Sequence, residues 1–346
     1  MLVVLANSFS NETEKQIVVS LSDKNVLQTE LNSNIEFIPL PRKTRFDRTV
    51  ISRLRKIIKS EKPDAFISLN FFGYFFLKIA TLGIRPQVKC RIIYGTTLHT
   101  NRKEHFLHKI YALLLNKNDL IIATSKNQVI YTLKNYNIPQ SNFLLIYNGV
   151  DTKHWHVKNP GNNVDPIRKE YGIPEDAKVI VIAAAFRPEK NHQGAVRALK
   201  MIREEYKINA YLLLVGEGPE KKQAEAVIKE LDMQKYVKLT GMQKDVRPFY
   251  WGADLFSLCS TAVETFSVAA LEAMSCGLPC VLTDIGGASE MIKNGVNGFL
   301  CQTDDKSIAD AWCKTLQAGF SAENIHQYLA TNFNADTMVS QYKEIL

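Results

Sequence analysis

Two glutamates, Glu264 and Glu272, stand eight positions apart in VETFSVAALEAMSCG, and this spacing is the strongest chemical signal in the chain. Residues 253–259 (ADLFSLC) have strand character, 260–265 are turn-like, and 267–276 favour helix, stopped by Gly277 and Pro279. The N–H groups of Phe266, Ser267 and Val268 then open that helix. A helix N-terminus carries unsatisfied donors, which suit an anion. Glu272 sits about 7 Å further up the axis at 1.5 Å per residue. That is near the reach from a bound diphosphate to the ribose of a nucleotide, where a carboxylate can accept from both hydroxyls. Glu264 precedes the helix; like charges would keep it off the phosphates, and sugar hydroxyls suit it better. The alternative is a buried amphipathic helix with two glutamates placed by chance.

With EAMSCGLPCVLTDIGGASEMI and NGVNGF following, the E-x7-E segment resembles the retaining GT-B glycosyltransferases of family 4, in which it grips a nucleotide-sugar. The resemblance covers roughly residues 90–346 well and 1–90 poorly. It implies an α/β fold of GT-B type, two doubly wound Rossmann-like domains facing a central cleft. The activity implied is transfer of a sugar, with retention, from a UDP- or GDP-sugar to a glycan or lipid-linked acceptor in cell-surface polysaccharide biosynthesis. No cofactor or metal is required beyond the nucleotide-sugar co-substrate, and no Asp-x-Asp pair stands where a metal–diphosphate bridge is expected; Asp304-Asp305 lies in a late loop.

The resemblance carries over residue by residue. In FRPEKNH, beyond the strand at 178–185, Lys190 matches a family lysine that holds the phosphates. The family arginine falls five residues earlier, where this chain has Ala185, and Arg187 is the nearby substitute. Both cations could neutralise a departing diphosphate, or be surface charge flanking a helix N-terminus. Gly241 and Met242, after the strand at 237–241, correspond to main chain lying against the base. His99, at the end of RIIYGTTLHT, corresponds to a cleft histidine linked to acceptor or sugar recognition, whereas His105 and His108 read as ordinary surface residues. Glu272 goes to the ribose and Glu264 to the transferred sugar. The Gly-rich first loop of the family is replaced by Asn7–Glu12 (NSFSNE), so its contacts do not carry over.

The elements that must position these residues alternate. Apolar runs at 2–6, 35–40, 65–69, 90–97, 119–125 and 143–148 read as one set of strands. Those at 178–185, 210–216, 237–241, 254–259, 279–284 and 298–301 read as a second set. Helical segments separate most of them, which argues for parallel sheets with helices on both faces. Twelve strands exceed one comfortable sheet, so two domains are expected: 1–150 for the acceptor and 151–346 for the nucleotide-sugar. The last helix, about 334–346, is expected to pack back on the first domain.

Charge is uneven. Residues 1–160 hold 23 Lys/Arg against 11 Asp/Glu, net +12, and residues 161–346 hold 20 against 24, net −4. A basic half points to an anionic partner, and nucleic acid is disfavoured because no recognised binding module accompanies the charge. In PRKTRFDRTVISRLRKIIKSEK, Phe46, Val50, Leu54, Ile57 and Ile58 repeat at helical spacing beside basic residues; the helix either lies on acidic lipid headgroups or packs on its own sheet. The twenty mostly apolar residues 65–84 approach membrane-spanning length but contain Asn70, Gly73 and Lys78, so a strand running into a helix is the better reading. Six cysteines without CxxC or His-partnered spacing read as reduced structural thiols, and no secretory signal is visible. A cytoplasmic enzyme, peripheral on the cytoplasmic face of the inner membrane, is expected. Two rivals stay open: a nucleotide-sugar epimerase or isomerase on the same fold, and a non-catalytic sugar-nucleotide-binding subunit.

Overall fold

The computed structural model describes every residue except 1, 11–14, 24–25, 45, 85–89, 95–101, 117, 159–165 and 263. Two compact units emerge: Met1–Asn148 with Ala335–Leu346, and Gly149–Asn334.

In the first unit, β1 (Ile17–Ser20) pairs with β2 (Glu36–Pro39), and β3 (Ala65–Ser68), β4 (Cys90–Tyr94), β5 (Asp119–Ala123) and β6 (Phe143–Leu145) form a second sheet in chain order; all pairings are parallel. Helices α1 (Leu2–Phe9), α2 (Arg48–Glu61), α3 (Phe71–Ala80), α4 (Arg102–Ala112) and α5 (Lys126–Asn135) accompany them. Short polar side chains start three of these helices: Asp47, Asn70 and Ser125 accept from the main-chain N–H of Thr49, Gly73 and Gln128.

Several expectations for this unit are corrected. The run at 2–6 is not a strand but lies within α1. Leu5 and Phe9, four apart and hence on one helix face, pack on Ile122 of β5, on Ile146, and on Met338, Val339 and Tyr342 of the C-terminal helix Ala335–Lys343. β1, which was not anticipated, supplies a strand just downstream. The apolar side of α2 is consumed by the core: Val50 and Ile58 are buried, and Ile58 and Leu54 meet Leu77 and Ala80 of α3. The lipid-facing reading of α2 therefore loses its apolar face. Nor is His108 a surface residue. It is buried with its ring 4.7 Å from that of Phe71, and half-buried His105 places Nδ1 3.1 Å from the Tyr136 hydroxyl.

Residues 65–84 divide into β3 and α3 as expected. Lys78, their internal charge, meets buried Asp119 at 2.8 Å. Among the described residues, no helix is long and apolar enough to cross a membrane.

The second unit contains β7 (Lys178–Ala183), β8 (Ala210–Val215), β9 (Val237–Gly241), β10 (Leu255–Leu258), β11 (Cys280–Thr283) and β12 (Gly298–Cys301) in one parallel sheet, ordered β12-β11-β10-β7-β8-β9. β8, β10 and β11 are buried at every residue, the signature of a sheet covered on both faces. Cys259, Cys276, Cys280, Cys301 and Cys313 are buried free thiols. The strand order reverses at β7: the chain proceeds to β8 and β9 on one side, then returns to place β10 on the other. Such a reversal opens a crevice beyond the carboxyl ends of the two central strands.

Candidate functional site

The loops leaving β7 and β10 bound that crevice, and each carries one of the expected residues. After β7, Phe186 enters a short loop that makes one 3-10 turn (Pro188–Lys190) and passes through Asn191, whose φ of 50° lies in the left-handed region. Asn191 then caps the helix His192–Glu204 by accepting from the N–H of Gly194. Across the crevice, the loop after β10 carries Glu264. Lys190 Nζ lies 2.6 Å from Glu264 Oε2, with the two side chains only 20% and 13% exposed. The main chains are tied as well, Thr261 N donating to Glu189 O at 2.8 Å.

A third loop buttresses the pair. Gly286, after β11, has φ +57°, and a Cβ there would lie 1.5 Å from the Glu264 carbonyl oxygen. Only glycine allows the backbones to approach this closely. Gly287 N donates to the same oxygen at 3.4 Å, and the Thr283 hydroxyl donates to Ser260 O at 2.6 Å.

Following Glu264, the helix runs from Val268 to Ser275 with Ser267 as its cap, Ser267 Oγ accepting from Ala270 N. Among the described residues, the N–H groups of Val268 and Ala269 have no hydrogen-bond partner. They are the open donors of a helix start. Phe266 has its ring buried edge-on against Phe333, so only its main chain can contribute. Glu272 lies one turn in, partly buried, and burial raises its carboxyl from the ordinary 4.5 to about 7.

Arg187 is more loosely held. Its side chain is 64% exposed, and its ion pair with Glu189 spans 4.0 Å. Gly241 has φ +72° and Met242 is 79% exposed, leaving the segment after β9 open to a ligand. Asp304 and Asp305 are engaged elsewhere, Asp304 capping a helix through Ser307 N and Asp305 meeting Arg197. His99 lies outside the described residues.

Sequence reasoning did not single out His192. Its ring stacks flat on Phe186, centroids 4.0 Å apart and planes at 9°, which closes the loop bearing Arg187 and Lys190. Burial, with the Lys190 charge nearby, pushes it down to about 4. The Ala184 carbonyl favours the protonated ring slightly without completing a hydrogen bond, and both ring nitrogens stay unpartnered among the described residues. The only sequence signal was an aromatic and a histidine bracketing a five-residue cationic loop.

Two family models tile the chain. One described as Glycosyltransferase Family 4 matches residues 3–154, and one described as Glycosyl transferases group 1 matches residues 163–330. The chain is a family 4 glycosyltransferase. This glycosyltransferase is 29% identical to N-acetyl-alpha-D-glucosaminyl L-malate synthase of Bacillus anthracis, over 73% of its own length and 66% of that enzyme's. It is 26% identical to the N-acetylgalactosamine-N,N'-diacetylbacillosaminyl-diphospho-undecaprenol 4-alpha-N-acetylgalactosaminyltransferase of Campylobacter jejuni, over 60% of its own length and 53% of the relative's. The matched stretches thus span less than two thirds of these relatives. The crystal structure of Anabaena Alr3699/HepE with UDP and glucose superposes with a TM-score of 0.83 at 21% identity, covering 99% of the glycosyltransferase and 94% of that chain. The fold is accordingly GT-B, with two Rossmann-like domains.

Proposed function

We propose that the enzyme transfers a sugar from a UDP- or GDP-activated donor to a glycan or lipid-linked acceptor in cell-surface polysaccharide assembly, with retention of anomeric configuration. The Lys190–Glu264 pair carries this reading, because it sits at the switch point beside the open N-terminus of the Val268–Ser275 helix. In the proposal the diphosphate rests against Val268 and Ala269 N–H, with Lys190 and Arg187 meeting the charge that develops as it leaves. Glu272 accepts from the ribose hydroxyls, Met242 lies against the base, and Glu264 orients the sugar. His99 serves the acceptor. Because cationic side chains and helix N–H groups meet the leaving group's charge, activity should survive EDTA.

The names of the relatives support the substrate classes: one acts on a diphospho-undecaprenol-linked acceptor, and one fold neighbour was solved with UDP and glucose. In this reading the enzyme works at the cytoplasmic face of the inner membrane.

The test incubates the purified chain with a panel of UDP- and GDP-sugars, with and without undecaprenyl-diphosphate-linked sugars. Nucleotide release that depends on acceptor, and a product whose NMR coupling shows the donor's anomeric configuration, is expected. Donor conversion without acceptor would make it an isomerase, and binding without turnover a non-catalytic subunit.

A further inference from the structure

Arg42 gathers three loops of the first unit. It follows β2, its Nε donates to the Leu21 carbonyl just past β1 at 3.1 Å, and its guanidinium lies 4.5 Å over the ring of Phe72, just past β3. Ligands of parallel α/β sheets collect beyond the carboxyl ends of the strands, where these loops stand. The guanidinium is thus held flat on an aromatic face and fixed by one hydrogen bond. Arg42 is half-buried, and among the described residues its two terminal nitrogens have no hydrogen-bond partner. Such a pair of nitrogens forms the fork that fits phosphate oxygens. Lys43 and Arg48, both exposed, add positive charge. Asp47 does not cancel it, because its carboxylate is spent accepting from Lys43 N, Thr49 N and the Thr49 hydroxyl at 2.7–2.9 Å.

Apolar rings adjoin this cation. Phe46 is 49% exposed, with its ring 6.3 Å from that of Phe72 and 5.7 Å from that of Phe75. A sugar in this place would need carboxylates or amides for its hydroxyls. Asp47 is already committed, and Asn70 Oδ1 caps α3 by accepting from Gly73 N at 2.8 Å. What the loops offer is a guanidinium fork, further cations and exposed hydrocarbon. We propose that they bind a prenyl diphosphate, with Arg42, Lys43 and Arg48 meeting the diphosphate and Phe46 receiving the first isoprenoid units. The inference rests on the proposed lipid-linked acceptor and deepens it, giving the acceptor's diphosphate a seat within the first unit.

The test titrates the full chain by calorimetry with farnesyl diphosphate and, separately, with inorganic diphosphate. UDP is held at saturation to keep both probes off the donor site. Wild type should bind farnesyl diphosphate the more tightly. Arg42→Gln should weaken both probes by about tenfold or more, since it removes charge-assisted hydrogen bonds. Phe46→Ser should weaken farnesyl diphosphate about tenfold, the order expected for one lost apolar ring contact, and leave inorganic diphosphate unchanged. Phe46 is exposed, so this variant should keep the wild-type Tm. With an undecaprenyl-diphosphate-linked sugar, both variants should raise KM for the acceptor and leave KM for the donor unchanged. Wild type that binds neither probe, or an Arg42→Gln chain that binds both as well as wild type, overturns the inference. So does Phe46→Ser with undiminished farnesyl diphosphate affinity, which would reduce the loops to a plain anion site. Farnesyl diphosphate held through Arg42 and Phe46 by a chain that releases no nucleotide with any acceptor would sink the transfer reading instead, and this site would stand.

Discussion

Lys190 and Glu264, 74 residues apart in the chain, form a 2.6 Å ion pair that bridges the loops after the two central strands of the second unit. Both side chains are largely shielded, so removing one leaves the other's charge poorly compensated. Lys190→Ala should lower kcat by about 100-fold, the order seen when a donor to developing charge is lost, with a smaller change in KM for the donor. A double-mutant cycle with Glu264→Gln should show strong coupling in Tm, because the partners touch. Additive losses would mean that the pair is incidental.

Glu272 should make nucleotide binding pH-dependent. Its carboxyl is raised from 4.5 to about 7, so the folded state holds the proton more tightly than the unfolded chain. The stability it contributes is full below about pH 4.5, declines from there to about 7, and is gone above. Glu272→Gln should therefore melt higher relative to wild type as pH rises across that window. Ribose hydroxyls donate best to the ionised form, so the Tm increment from UDP should grow through pH 7 in wild type and stay flat in the Gln variant.

The Phe186–His192 stack should behave as a clasp on the cationic loop. His192→Ala should cost about 2 kcal/mol through lost ring contact and the void left behind, and should slow turnover through Lys190. His192→Phe, which keeps a ring on Phe186, should restore most of both. The sign of the pH effect is opposite to that of Glu272: the histidine is depressed from 6.5 to about 4. Its stabilising contribution is present above about 6.5 and falls away as pH drops toward 4. Acid titrations of Tm should be shallower in the Phe variant.

Gly286→Ala tests the third loop. The added methyl would meet the Glu264 carbonyl at 1.5 Å on a backbone with φ +57°, so the Glu264 loop must shift. We expect a loss of about 1–3 kcal/mol in stability, and a fall in kcat of about 100-fold from a displacement near 1 Å. Wild-type activity in this variant would show that Glu264 does not need its observed position.

Much of the second unit was legible in the sequence because a parallel strand covered on both faces must be a continuous apolar run. VIVIA, YLLLV and CVLT could hardly be anything else. The Glu264–Glu272 interval was readable too, since Ser267 and Gly277 punctuate a helix locally. In the first unit, LVVLA fits strand or helix equally well, and the choice fell to helix when Leu5 and Phe9 found Ile122, Ile146 and the C-terminal helix.

Taken alone, then, the sequence determined two sets of alternating elements and the turn-and-helix segment, because these follow from hydrophobic period and local capping. It could not say that the apolar side of α2 faces inward while α4 exposes Phe106 and Ile110, since amphipathic helices of either kind carry the same pattern. Nor could it join Lys190 to Glu264 or lay His192 on Phe186. Those pairings depend on strand order and loop closure, which bring together groups that no local spacing relates.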